Sequence, residues 1–120
     1  MMNDKQKEYL ISVGIDLDNV VNYTGDLEMY HEILLEFYDG LDSQFASIKN
    51  TINDLPNYAI LVHALKSNAR TLGLSNLADV SYKHEISSKE GNSAFVVNDI
   101  SSIENEVNNV KLLIETYKNM

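Results

Sequence analysis

The chain has no cysteine, so it holds neither a disulfide framework nor a thiolate metal site, and zinc-finger and papain-like chemistries are excluded together. A single proline, Pro56, leaves few built-in breaks in the backbone. Apolar runs are short: none approaches the ~18–20 residues of a membrane span. The polar start MMNDKQKEYLISVG lacks the apolar stretch of roughly 7–15 residues that a signal peptide needs. A cytoplasmic protein is the expectation. Positive charge is scarce too. Nine basic against 18 acidic residues give a net charge of −9, and Arg70 is the only arginine. Nucleic-acid binding requires clustered lysine and arginine and is not expected. One window inverts this balance. From Leu55 to Ala78 there is no Asp or Glu, only Lys66 and Arg70, and His63 lies inside it.

What the chain does have is helical spacing throughout. Leu27, Tyr30, Leu34, Phe37, Leu41, Phe45, Ile48 and Ile52 recur at steps of three and four and predict one long helix over 26–53, with Asp26 as N-cap. Gly40 weakens it locally without interrupting the stripe. Asp54-Leu55-Pro56 reads as a stop and a restart, and a second helix over 56–72 ends at Gly73. Ser75 is the expected cap of a third helix over 76–89, which stops before Gly91. A fourth spans 94–118, where Val96, Ile100, Ile103, Val107, Val110, Ile114 and Tyr117 form a heptad seam. The first 25 residues suggest one or two short helices, with Tyr9, Leu10, Ile11, Ile15, Leu17, Val20 and Val21 covering one end. The predicted fold is all-α: one domain over 1–120, an antiparallel four-helix bundle with a short N-terminal helical cap.

His63 does not point into that bundle. On a wheel at 100° per residue with Leu65 at zero, the apolar residues Tyr58, Leu61, Val62, Ala69 and Leu72 fall within about 60°, whereas His63 lies roughly 160° away. Ala59 and Ser67, one turn before and after it, are both small and leave an approach to the imidazole. Lys66 and Arg70 bring positive charge to the same side, and Ile60 adds an apolar contact point. Neutral imidazole is a nucleophile near physiological pH. Phosphoryl transfer asks mainly for positioning and for cations that balance the equatorial oxygens. The set therefore suits an exposed phosphoacceptor, and equally a solvated helix face that happens to carry His, Lys and Arg.

The other histidines read differently. His84 shares a stripe with Leu77, Val80 and Ser81 and is expected in the core. His31, beside Tyr30, is expected to be partly exposed and structural. Glu28 and His31 have the Glu-x-x-His spacing of di-iron bundles, but Ile60 and Ser81 stand where the other two histidines would need their glutamate, so no metal site is expected. Tyr30, Tyr58 and Tyr117 lie on core stripes and read as packing residues.

Around His63 the sequence resembles the histidine-containing phosphotransfer (HPt) family. That family's signature is His-x-Leu-Lys-Gly/Ser, an alanine three residues after the lysine, and a hydrophobic-Gly pair. Here it runs His63-Ala64-Leu65-Lys66-Ser67-Asn68-Ala69-Arg70-Thr71-Leu72-Gly73, and Leu77 and Glu85 fit the downstream Leu…Glu pattern. The resemblance covers about residues 14–117. It implies a phosphorelay carrier, not an enzyme with net turnover. His63 would accept a phosphoryl group on Nε2 from one receiver-domain aspartate and pass it to another. Lys66 would neutralise phosphoryl charge with Arg70 in support, and Ala59, Ile60 and Ser67 would form the receiver docking surface. The implied partners are response-regulator receiver domains or a hybrid histidine kinase, met as a monomer, with no cofactor beyond Mg2+ brought by the receiver. Two departures stand out: His84 and Ser81 occupy positions where leucine and alanine are expected. A kinase dimerisation region is the nearest rival. It would place an acidic residue after the histidine and a proline about five on, where Ala64 and Asn68 stand. A non-catalytic adaptor that docks a receiver without accepting phosphate is the alternative outside the carrier class.

Overall fold

A computed structural model describes all 120 residues and contains six helices and no strand. They are α1 (Asp4–Ser12), α2 (Leu17–Thr24), α3 (Leu27–Asn50), α4 (Leu55–Thr71), α5 (Ser75–Lys89) and α6 (Ser93–Lys118). The all-α expectation holds, and each of the four predicted long helices lies within a few residues of its expected bounds. No helix is long and apolar enough to cross a membrane.

Local chemistry sets the ends. Asp26 accepts a hydrogen bond from the Met29 N–H at 2.8 Å and caps α3. Asp54 caps α4, with Pro56 in the first turn, where its missing N–H costs nothing. At the other end of α4, Leu74 N–H reaches Ala69 C=O at 2.8 Å and Gly73 N–H reaches Arg70 C=O at 3.1 Å, a Schellman turn. Gly73 has φ +75°, and a Cβ there would sit 2.9 Å from Val20 Cγ1, so both the turn and the close approach of α2 require glycine. The expected Ser75 cap does not form. The Schellman turn delivers Leu74 to the cap position, without a side-chain hydrogen bond, and buries it.

α4 and α5 run as a tight hairpin, with Ala69 and Ala78 buried. α5 packs on α6, and α3 contacts both α4 and α6, so the four long helices share one core of 23 buried residues. α1 lies against the end of α6, where the Gln6 side-chain N–H donates to Tyr117 C=O at 3.0 Å. α2 packs on α3 and α4. Ile11, expected to cover the core, is exposed; α1 buries only Gln6 and Leu10. Tyr30, Tyr58 and Tyr117 are fully buried packing residues, and each phenol has a partner. Gly40 lies inside α3 with open space around it, so the helix passes through unbroken.

Candidate functional site

α4 turns its Tyr58, Val62, Leu65 and Ala69 inward and leaves His63 on the opposite side, its side chain 55% exposed. Ser67 and Ile60 flank it and are exposed, as the wheel predicts. Ala59 differs. It is 7% exposed, because α5 covers that side of α4 and makes Ala59 the floor of a groove instead of part of an open face. The groove has a volume of about 560 Å³, runs past His63 and Ile60, and is closed on the far side by Ser88 and Lys89.

The residue that organises the site comes from α5. Glu85 is almost fully buried, and its Oε2 lies 2.9 Å from His63 Nδ1 and 2.7 Å from Lys89 Nζ. Its Oε1 lies 2.6 Å from Lys66 Nζ. Burial alone would push this carboxyl up. The hydrogen bonds from Lys66, Lys89 and His63 outweigh it and hold the group down at about 2, so Glu85 is a carboxylate at neutral pH. A carboxylate only accepts hydrogen bonds, so Nδ1 must be the donor. In the neutral ring the proton then resides on Nδ1 and the lone pair on Nε2. Nε2 makes no hydrogen bond within the protein. The pairing thus leaves one nitrogen held and the other available. With two ammonium groups on one carboxylate, the cluster carries a net +1 before His63 is counted.

Lys66 is therefore not the free cation that its wheel position suggests. It is 9% exposed, lies in the α4–α5 seam with its ammonium on Glu85, and sits 5.4 Å from the centre of the Tyr82 ring. A long side chain at the border of the buried face swings along the neighbouring helix and brings its charge to a partner there. Arg70 is exposed two turns further along α4, about 10 Å from His63 along the axis. The second cation that the fold brings to the site is Lys89, from α5. Sequence reasoning missed Lys89 and Tyr82, and it had Glu85 only as part of a pattern. The Glu85–Lys89 spacing of i, i+4 is readable as a helix pair, but nothing local shows that the pair faces His63.

The remaining histidines fall where expected. His84 is fully buried, with Nδ1 2.8 Å from the Tyr58 hydroxyl and Nε2 3.0 Å from Asp99 Oδ2. His31 is partly exposed and pairs through Nδ1 with the Tyr117 hydroxyl. Burial, then the positive chain terminus, lowers the His31 pKa against the opposing pull of Glu32 and Glu28. No group of three or more His, Asp or Glu side chains is gathered as a metal site would require. Comparison with protein-family models, curated proteins and solved structures finds no significant match to this chain.

Proposed function

We propose that this chain is a histidine phosphocarrier of the HPt kind. In this reading α3, α4, α5 and α6 form an antiparallel four-helix bundle, α1 and α2 cap it, and the monomer works in the cytoplasm between response-regulator receiver domains or a hybrid kinase. The observation that carries the reading is the His63–Glu85 pair, which fixes the proton on Nδ1 and leaves an exposed Nε2 lone pair.

The chemistry follows from that tautomer. Nε2 attacks the phosphorus of a receiver's aspartyl phosphate. The N–P bond forms as the P–O bond to the aspartate breaks, and the aspartate leaves as a carboxylate. The ring keeps its Nδ1 proton and so gains positive charge, which the Glu85 carboxylate offsets. Lys89 and Lys66 supply the positive field for the incoming phosphoryl oxygens, and Arg70 supports it at longer range. Any Mg2+ belongs to the receiver. Ile60, Ser67 and the groove over Ala59 receive the docking partner. Transfer to a second receiver is the same step in reverse, so the chain turns over nothing by itself.

The test is phosphate uptake from a receiver charged with acetyl phosphate. Wild type and His31→Gln should carry acid-labile phosphate, and His63→Gln should carry none. Uptake by His63→Gln, or none by wild type from any receiver of the same genome, would reject the carrier in favour of the adaptor.

A further inference from the structure

We infer that His84 is a positioning residue for His63: the hydrogen-bonded line Tyr58–His84–Asp99, buried at Tyr58 and His84, sets the rotation and depth of α5 against α4 so that Glu85 meets His63 Nδ1. The inference rests on the reading of His63 as the phosphoacceptor, although its structural half does not.

His84 stands fully buried where the HPt resemblance expects leucine, and an apolar side chain would fill such a place without any polar partner. Instead both ring nitrogens are engaged, each by a different helix. Nδ1 faces the Tyr58 hydroxyl of α4 at 2.8 Å, and Nε2 faces Asp99 of α6, at 3.0 Å to Oδ2 and 3.2 Å to the backbone carbonyl. Both partners of Nε2 only accept, so Nε2 carries a proton, and in the neutral ring Nδ1 accepts from the Tyr58 O–H. The Nε2–H then donates to Asp99, whose other oxygen accepts from the Ser102 hydroxyl at 3.0 Å. Phe95 packs 5.1 Å from the imidazole and helps hold the ring. Every ring position is thereby determined.

The geometry links this line to the site through both helices. Tyr58 precedes His63 by five residues on α4, about 7.5 Å along the axis, and His84 is the residue before Glu85 on α5. The hairpin is therefore tied through two neighbouring residues of α5: His84 meets Tyr58, and Glu85 meets both His63 and Lys66. One tie would act as a pivot. Ties that leave α5 about 100° apart and meet α4 at positions five residues apart suppress both rotation and sliding. A fully satisfied polar group in an apolar core selects one arrangement over near-equivalent packings. Here the arrangement selected is the one with Glu85 under Nδ1.

The test reads the His63 ring itself. Nitrogen-15 resonances of the imidazole at neutral pH should report the Nδ1–H form in wild type. In Tyr58→Phe, which removes only the α4 tie, and in His84→Leu, the share of that form should fall. Transfer at saturating receiver should slow about tenfold with receiver affinity unchanged. His84→Gln, with an N–H for Asp99 and a carbonyl for Tyr58, should recover part of both. A merely structural role would lower the melting temperature and leave the tautomer untouched. Folded Tyr58→Phe and His84→Leu proteins with the wild-type tautomer population would overturn the inference. A shifted tautomer in a protein that never takes up phosphate would uphold the clamp and reject only the carrier.

Discussion

His63 and His84 belong to the same α4–α5 hairpin and each meets an acidic group, yet their surroundings differ in one decisive respect. His84 is sealed in the core with both nitrogens bonded. His63 has a single nitrogen bonded, on a carboxylate that is itself buried, while its other nitrogen has no partner in the protein and the side chain is half exposed. The first arrangement exhausts the ring's bonding capacity and makes it a strut. The second orients the ring and leaves a lone pair unspent. What sets His63 apart is a nitrogen left over after the ring has been fixed, which exposure alone does not guarantee.

Removing Glu85 attacks one side of this comparison and should have the largest effect on stability. Glu85→Leu leaves the buried Lys66 ammonium without its partner and should cost about 3 kcal/mol in urea unfolding. It should also free the His63 ring while leaving the His84 bonds intact. The same carboxylate gives stability an acid limb. Its pKa falls from 4.5 unfolded to about 2 folded, so its contribution is complete above 4.5 and disappears as pH falls through about 2. Glu85→Gln should flatten that limb; an unchanged pH profile would show that the carboxylate is not held as described.

Exchanging the attack to the two rings sharpens the contrast. His84→Leu strands the buried Tyr58 hydroxyl and takes one partner from Asp99, and should cost about 2 kcal/mol. His63→Gln, on the outer face, should cost about 0.5 kcal/mol. Equal losses would erase the distinction between a ring bonded on both nitrogens and a ring bonded on one. Beside His84, the buried Ser81 hydroxyl has no hydrogen-bond partner. Ser81→Ala should therefore raise stability by about 1 kcal/mol, since the polar network of this core does not include it. A loss would mean that Ser81 belongs to the network. Lys89→Ala should change stability as little as His63→Gln, by about 0.5 kcal/mol, because that side chain is 63% exposed. Under the proposed carrier function, phosphotransfer by this variant should nevertheless slow, and transfer at the wild-type rate would remove Lys89 from the site.

Much of the fold is legible in the chain because helical phase is a local property. The α3 stripe and the α6 heptad seam are written in residue spacing, and most of their residues are buried as the spacing predicts, with Phe37 and Ile100 only partly covered. The N-caps Asp26 and Asp54 and the turn at Gly73 are equally local. Ser75 failed as a cap because the incoming turn, not the side chain, set where α5 begins.

The site divides along the same line. That His63 faces outward between Ser67 and Ile60 follows from 100° per residue, so the sequence alone determined which ring is presented. Tertiary structure decided what the ring can do. Glu85 and Lys89 reach it from 22 and 26 positions away, Lys66 leaves the surface for the seam, and Ala59 becomes a groove floor. Each of these depends on how closely α5 approaches α4 and at what rotation. That approach is set by the small residues Ala69 and Ala78 and the polar ties packed between the helices, which no single helix's periodicity encodes.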